Sequence, residues 1–337
     1  MEIKEALLPR ELNNIKTFLD KNDLLFDKLI TKSFYIDVND VIVGTISIYN
    51  NVIKCFAVDK EYRDENYGGL LISFVINYFY QNGINHYMVY TKIEYERMFK
   101  SLNFHEISRA DKTILLEGGS PLINDFIKDL KRKIEYRFSI DMNNDNDIAS
   151  IVVNCNPVTN GHIELIEKMA KEHRYVIVFI LEEDLSLFTY KERMTLLTIS
   201  LVHLSNVLVA PSSEYIISSS TFPNYFLKDE SIKNDEWSKI DALIFNDYFM
   251  KSLNIKYRYV GSEESGYMSR YNNTLKEVLG SKLIEVPRFK YDEEVISASS
   301  VRALIEKGKI EEALKYIPNG AKTLFYSIAK NKWIANN

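Results

Sequence analysis

The stretch Asn154-Cys155-Asn156-Pro157-Val158-Thr159-Asn160-Gly161-His162 constrains this chain more than any other. The apolar run Ile151-Val152-Val153 before it reads as the end of a buried strand. Asn156-Pro157 stops the strand, because the residue before a proline is restricted and the pair favours a turn. Gly161 lets a backbone come close to a ligand. His162 then opens a helix whose apolar face is Ile163, Ile166, Met169 and Ala170. Strand, tight loop and helix start in succession make a place suited to an anion, since unpaired N–H groups and the positive end of the helix dipole meet there. The order of residues therefore predicts a phosphate site, and with it chemistry on nucleotide phosphates.

The flanking pattern says what carries this loop. Strands are expected at 149–153, 175–181, 206–210 and 256–260, with a weaker one at 283–286. Helices are expected at 161–172 and 190–204, the second opened by a capping box of Thr189 and Glu192. Alternation of this kind implies a parallel sheet with helices on both faces. Ligands of such sheets lie beyond the carboxyl ends of the strands, where the 154–162 loop must be.

The first third of the chain reads differently. Strands are expected at 33–38, 41–49 and 52–58, the first two joined by a hairpin turn at Asn39-Asp40. The polar stretch 59–69, which ends in Gly68-Gly69, leads into an apolar helix over 70–80 that Asn82-Gly83 ends. A strand at 86–91 and a short helix near 98–104 follow. Gly118-Gly119-Ser120-Pro121 reads as a break, and Leu122, Ile123, Phe126, Ile127, Leu130 and Ile134 form a helical stripe over 122–138. The polar run 141–147 marks a boundary. The expected organisation is a domain over 1–118, a connecting helix and polar linker over 119–147, and a second domain over 148–337.

The net charge of -5 argues against a general nucleic-acid binder, which needs a basic surface. The two cysteines, Cys55 and Cys155, have no metal-ligand spacing, and Cys155 is expected to be a small buried filler. His86, His105, His173 and His203 stand at no ligand spacing, so packing or surface roles are expected of them. The charged start Met1–Glu5 is unlike a signal peptide, and no apolar run approaches membrane-spanning length, so a cytoplasmic protein without a membrane partner is expected.

A second segment carries chemistry. Ile296-Ser297-Ala298-Ser299-Ser300-Val301-Arg302 leads into a helix over 301–307 that Ser297, Ser299 or Ser300 can cap. Hydroxyls and N–H groups at a helix start make another anion site, and Arg302 adds a planar fork for phosphate oxygens. Two helix starts facing one crevice would clamp a triphosphate from both sides.

Thr159-x-Gly161-His162 and Ile296-Ser297-x-Ser299-x-x-Arg302 resemble the paired signatures of the nucleotidyltransferase superfamily. Further segments resemble the citrate lyase ligase family: Asn154-Cys155-Asn156-Pro157, Phe188-x-Tyr190-x-x-Arg193, Ser213–Ser218, Thr221–Phe226 and Tyr259-Val260-Gly261-Ser262-Glu263. Arg63-Asp64-Glu65-Asn66-Tyr67-Gly68-Gly69 and Met98-Phe99-x-x-Leu102-Asn103-Phe104 resemble the pyrophosphate loop and a late element of GNAT acetyltransferases, with Asn66 and Asn103 where glycines are usual. Asparagine tolerates a left-handed backbone better than most residues. The resemblance covers nearly the whole chain. It implies an α/β protein: an N-terminal GNAT-like α+β domain followed by a Rossmann-like parallel-sheet nucleotidyltransferase domain.

The resemblance also implies a reaction. Acetate and ATP, with Mg²⁺ bridging the phosphates, would acetylate the prosthetic-group thiol of the citrate lyase acyl carrier subunit, with AMP and pyrophosphate released. His162, Thr159 and Arg302 would be catalytic. Asn154, Asn156, Pro157, Asn160, Gly161, Lys191, Arg193, Gly261, Glu263, Ile296, Ser297, Ser299 and Ser300 would bind ATP. Arg63, Asn66, Gly68 and Gly69 would meet an acyl or pantetheine arm. Asn156 replaces the aspartate that many superfamily members carry before the proline, so no protein carboxylate is assigned to a metal there. Two competing classes are a plain nucleotidyltransferase of the pantetheine-phosphate or nicotinamide-nucleotide adenylyltransferase type, and a coenzyme-binding module whose catalysis has lapsed. The 215–226 segment speaks against the first, and the intact Thr159, His162, Ser299 and Arg302 against the second.

Overall fold

The computed structural model describes residues 2–27, 29–144, 147–182, 186–216, 222, 225–227, 229–263, 266–287, 290–291, 294–295 and 297–336. The chain forms two compact units. One is Met1–Phe126 with Thr221–Ile244; the other is Ile127–Ser220 with Phe245–Asn337. The segment 221–244, expected within the second domain, thus groups with the first unit.

The first unit is built on a seven-stranded sheet of order β1-β2-β3-β4-β5-β7-β6. Its strands are β1 (Lys4–Glu5), β2 (Lys32–Val38), β3 (Val41–Tyr49), β4 (Val52–Val58), β5 (His86–Lys92), β6 (His105–Arg109) and β7 (Thr113–Gly119). All neighbours are antiparallel except β4 and β5, which pair in parallel only at Val52–Met88 and Ile53–Val89 and then part. Helix Tyr67–Gln81 buries Leu71, Ile72, Val75 and Phe79 in a core with Phe34, Ile46 and Val89. Asn66 and Asn103 both adopt left-handed backbone, φ 57° and 65°, so asparagine does serve where a glycine is usual.

The structure differs from the sequence expectations at three places. Gly118-Gly119 is not a break but the end of β7. Gly119 (φ 85°) lies so close to β5 that a Cβ there would stand 1.9 Å from the Asn85 carbonyl oxygen. Helices Pro9–Lys21, Glu230–Ile244, Tyr267–Leu279 and Lys322–Asn336 were not expected. Glu230–Ile244 hides its period because Glu236, Ser238 and Asp241 are buried along with its apolar residues. The helix expected over 190–204 ends at Ser200.

The second unit holds five parallel strands in the order β10-β9-β8-β11-β12. These are β8 (Ile148–Val153), β9 (Tyr175–Ile180), β10 (Val207–Pro211), β11 (Tyr257–Gly261) and β12 (Leu283–Val286). β8 is central and almost wholly buried, which is why it is apolar at every position but Ser150. The chain runs outward from β8 through β9 to β10, then returns to β11 on the other side of β8. That reversal opens a crevice at the carboxyl ends of β8 and β11, where ligands of open α/β sheets bind. Ile151, Val178, Ile166, Leu197, Val301 and Phe325 belong to the core that joins helices to this sheet.

Candidate nucleotide site

The loop after β8 leads into helix Asn160–Glu172, with Thr159 as N-cap in extended backbone. His162 reaches back from the third helical position. Its Nδ1 accepts from the Thr159 N–H at 3.1 Å and lies 2.7 Å from Thr159 Oγ1. A backbone N–H can only donate, so Nδ1 must be the acceptor and the neutral ring carries its proton on Nε2. The cap thus fixes the tautomer, with the proton on the far edge of the ring. A Cβ on Gly161 would meet nothing nearer than Thr159 Oγ1 at 4.0 Å, so packing does not demand the glycine; it leaves room at the helix start.

The second motif arrives on helix Ala298–Glu306, capped by Ser297, whose Oγ accepts from the Ser300 N–H at 3.0 Å and lies 2.8 Å from Ser300 Oγ. Arg302 joins the two motifs. Its Nη1 donates to the Asn156 carbonyl at 2.6 Å and its Nη2 to Ser299 Oγ at 3.0 Å. The guanidinium has five N–H groups, so donors remain for an anion. The Asn156 side chain is buried, and its Oδ1 accepts from the Phe188 N–H at 3.1 Å.

Other expected ligands are turned toward protein atoms. Arg193 is fully buried and donates to the Phe188, Asn154 and Leu181 carbonyls and to Asn154 Oδ1. Asn160 donates to the Lys315 carbonyl at 3.1 Å. Lys191 is exposed in the first turn of helix Tyr190–Ser200. Pro157 is buried within the loop. Gly261 ends β11, and its carbonyl accepts from Asn272 Nδ2 at 2.9 Å; Glu263 follows, half-buried. Ile296 and part of the 213–226 segment lie outside the described residues.

Asn272 and Lys315 shape the site though no motif names them, and Phe188, quoted in a motif, does so through its backbone N–H and carbonyl. Asn272 alone left a signal, a polar residue in phase with the apolar Leu275 and Leu279 of its helix. Cys155 is 1% exposed, and burial pushes its thiol up to about 12, so it is the inert filler expected.

Three of the five histidines make carboxylate contacts rather than site contacts. His86 meets Glu117, His203 meets Glu167, and His173 meets Asp147, each at 2.9 Å.

In the first unit, Arg63 and Gly68 line a cavity of about 440 Å3 where β4 and β5 part, together with Lys60, Lys92, Phe56, Val58, Met98 and Tyr225. Tyr225 is buried there and its hydroxyl donates to the Tyr90 carbonyl at 3.0 Å. The two glycines of this loop have packing reasons of their own. A Cβ on Gly68 would stand 3.2 Å from Phe56 Cζ, and one on Gly69 would stand 2.6 Å from Asn66 Oδ1.

A parallel sheet with two helix starts at its carboxyl edge, joined by an arginine, defines a Rossmann-like α/β domain, here following a mostly antiparallel sheet. The model of the citrate lyase ligase C-terminal domain matches residues 148–326. A [citrate [pro-3S]-lyase] ligase of Escherichia coli K12 is 31% identical over 327 residues, 94% of this chain and 90% of that protein. One of Haemophilus influenzae is 33% identical over 323 residues, 92% of this chain and 93% of that protein. The chain belongs to the citrate lyase ligase family, and its class of enzyme is an acid–thiol ligase. Among solved structures, a GNAT-family acetyltransferase of Staphylococcus aureus Mu50 aligns with 35% of this chain and 99% of its own at 19% identity and a TM-score of 0.30.

Proposed function

We propose that this enzyme activates acetate with ATP as acetyl-AMP and passes the acetyl group to the prosthetic-group thiol of the citrate lyase acyl carrier subunit. Joining of the two motifs by Arg302 carries the reading, because it gathers anion donors from two helix starts at one sheet edge. In the first step an acetate oxygen attacks the α-phosphorus and pyrophosphate leaves. In the second the thiol attacks the acyl carbon, AMP leaves, and the thioester remains.

No protein nucleophile enters either step; the work is positioning and stabilisation of charge on phosphate oxygens. His162 would donate from Nε2 to the α-phosphate, and Thr159 holds the ring that does so. Arg302 and Ser299 would meet the leaving pyrophosphate. Gly161 gives the phosphates access to the helix start, while Gly261 and Glu263 border the nucleotide. Magnesium enters as part of the substrate, MgATP. Asn156 stands where many superfamily members carry an aspartate, and its Oδ1 accepts from the Phe188 N–H, so no protein carboxylate is assigned to the ion there.

The cavity beside Arg63 would take the carrier's phosphopantetheine-like arm, with Lys60, Arg63 and Lys92 as cations for its phosphate and Phe56, Val58 and Met98 as apolar walls. No described helix is long and apolar enough to cross a membrane.

The test is product analysis with ATP, acetate and the deacetylated carrier subunit. Equal amounts of AMP, pyrophosphate and carrier thioester are expected. Formation of ADP, or carrier acetylation from acetyl-coenzyme A without ATP, would overturn the reading.

A further inference from the structure

Arg193 is a cation without exposed surface, placed under the loop that is to receive a polyanion. Its Nη1 lies 2.9 Å from the Asn154 carbonyl oxygen and 2.8 Å from that of Leu181, and its Nε lies 3.1 Å from that of Phe188. Asn154 and Leu181 are the first residues beyond β8 and β9, and the Leu181 N–H binds the Val153 carbonyl at 3.0 Å as the ladder's last rung. Carbonyl oxygens at the carboxyl edge of a parallel sheet would repel an incoming phosphate. A guanidinium that accepts none and donates to several turns that edge into a positive floor.

The fourth contact has a sharper consequence. Arg193 Nη1 is 2.9 Å from Asn154 Oδ1. Because arginine only donates, the oxygen of the Asn154 amide must face it, and Nδ2 with its two N–H groups must face the other way. Asn154 is exposed, and among the described residues nothing accepts from its Nδ2. The logic repeats that of Thr159 and His162: a buried donor takes the acceptor atom and leaves the outward atom a donor.

We propose that Arg193 is a positioning residue that holds the Asn154 amide oxygen inward, so that Asn154 Nδ2 binds an anionic substrate oxygen, either a nucleotide phosphate or the carboxylate of the acid. The inference rests on the adenylating function proposed above and refines it, because it removes Arg193 from the ligand shell and gives Asn154 a direction.

Asn154→Asp separates this from a structural role. One carboxylate oxygen keeps the Arg193 contact, now as an ion pair, so the melting temperature should not fall. The other replaces an outward donor with a negative acceptor. A fall of about 100-fold in kcat/KM is expected, the size typical of losing an oriented donor at a phosphate. A raised KM for ATP would identify the phosphate, and a raised KM for the acid the carboxylate. Activity within about threefold of wild type would overturn the proposal, since a merely structural contact survives this substitution.

A cycle of Arg193→Lys and Asn154→Ala tests the positioning claim. The double variant should lose little beyond the worse single one; fully multiplying losses would contradict it. Should Arg193→Lys fail to fold, Asn154→Asp decides alone. Calorimetric binding of a non-hydrolysable ATP analogue and of acetate to wild type and Asn154→Asp keeps the two readings apart. An inactive wild type would sink the function, whereas unchanged binding of both ligands would sink the role of Asn154.

Discussion

The Arg302 guanidinium donates to the Asn156 carbonyl at 2.6 Å, across 146 residues of sequence. This bond makes one site of two helix starts, since Asn156 belongs to the loop after β8 and Arg302 to the helix that Ser297 caps. The same guanidinium reaches Ser299 Oγ. Lysine has one nitrogen and no fork, so it can keep either contact but not both while meeting a phosphate. Arg302→Lys should lower kcat/KM for ATP by about 10- to 100-fold and Arg302→Ala by about 100- to 1,000-fold. Steady-state pyrophosphate release measures both, and equal activity of the lysine variant and wild type would refute the fork.

His162 and Thr159 should separate in kinetics. His162→Ala removes the proposed donor to the α-phosphate and should cut turnover by about 100- to 1,000-fold with little change in melting temperature. Thr159→Val removes the hydroxyl but leaves the backbone N–H that holds Nδ1, so about tenfold is expected. A valine variant as impaired as the alanine variant would place the tautomer control in the hydroxyl instead.

Both cysteines are buried and free, and burial pushes each thiol up to about 12 from 9. Native enzyme at pH 8 should therefore resist a thiol-directed disulfide reagent, and the unfolded chain should take up two equivalents. The sign for stability follows. The folded chain keeps two protons that the unfolded chain releases above pH 9, so this contribution is complete below pH 9 and fades as the pH rises toward 12. Denaturant midpoints against pH would show the decline, and replacing both cysteines with alanine should flatten it.

In the first unit, Lys54 Nζ lies 3.2 Å from Asp27 Oδ2, with side-chain exposures of 0% and 5%. Burial lowers the Lys54 pKa and Asp27 works against that. Asp27 also accepts from the Leu29 N–H at 2.9 Å, so the pair ties the chain before β2 to β4. Lys54→Met should destabilise by about 3–5 kcal/mol, because a buried carboxylate loses its cation. Adding Asp27→Asn should recover most of that loss in denaturant unfolding. No recovery would mean that the lysine acts through packing alone.

The elements that sequence reveals best are those whose residues answer to one period. The meander of β2, β3 and β4 is read to within a residue because burial alternates or runs unbroken. Glu230–Ile244 is hidden because buried Glu236 and Asp241 interrupt its apolar stripe; the Glu236 carboxylate accepts from the Lys112 N–H at 2.9 Å, a partner that sequence does not show.

The site divides along the same line. Thr159, His162, Ser299 and Arg302 are legible because two helix starts need those residue types at those spacings. Residue type does not give the direction of a side chain. Arg193 and Asn160 look like phosphate ligands in the sequence and donate to carbonyls in the fold.

Exchange of labelled pyrophosphate into ATP in the absence of the carrier tests the central claim most directly, because it reports attack at the α-phosphorus before any thiol is involved. The account predicts exchange that needs acetate and is lost in His162→Ala. Exchange that proceeds without acetate, or acetate-dependent formation of ADP with none, would contradict it.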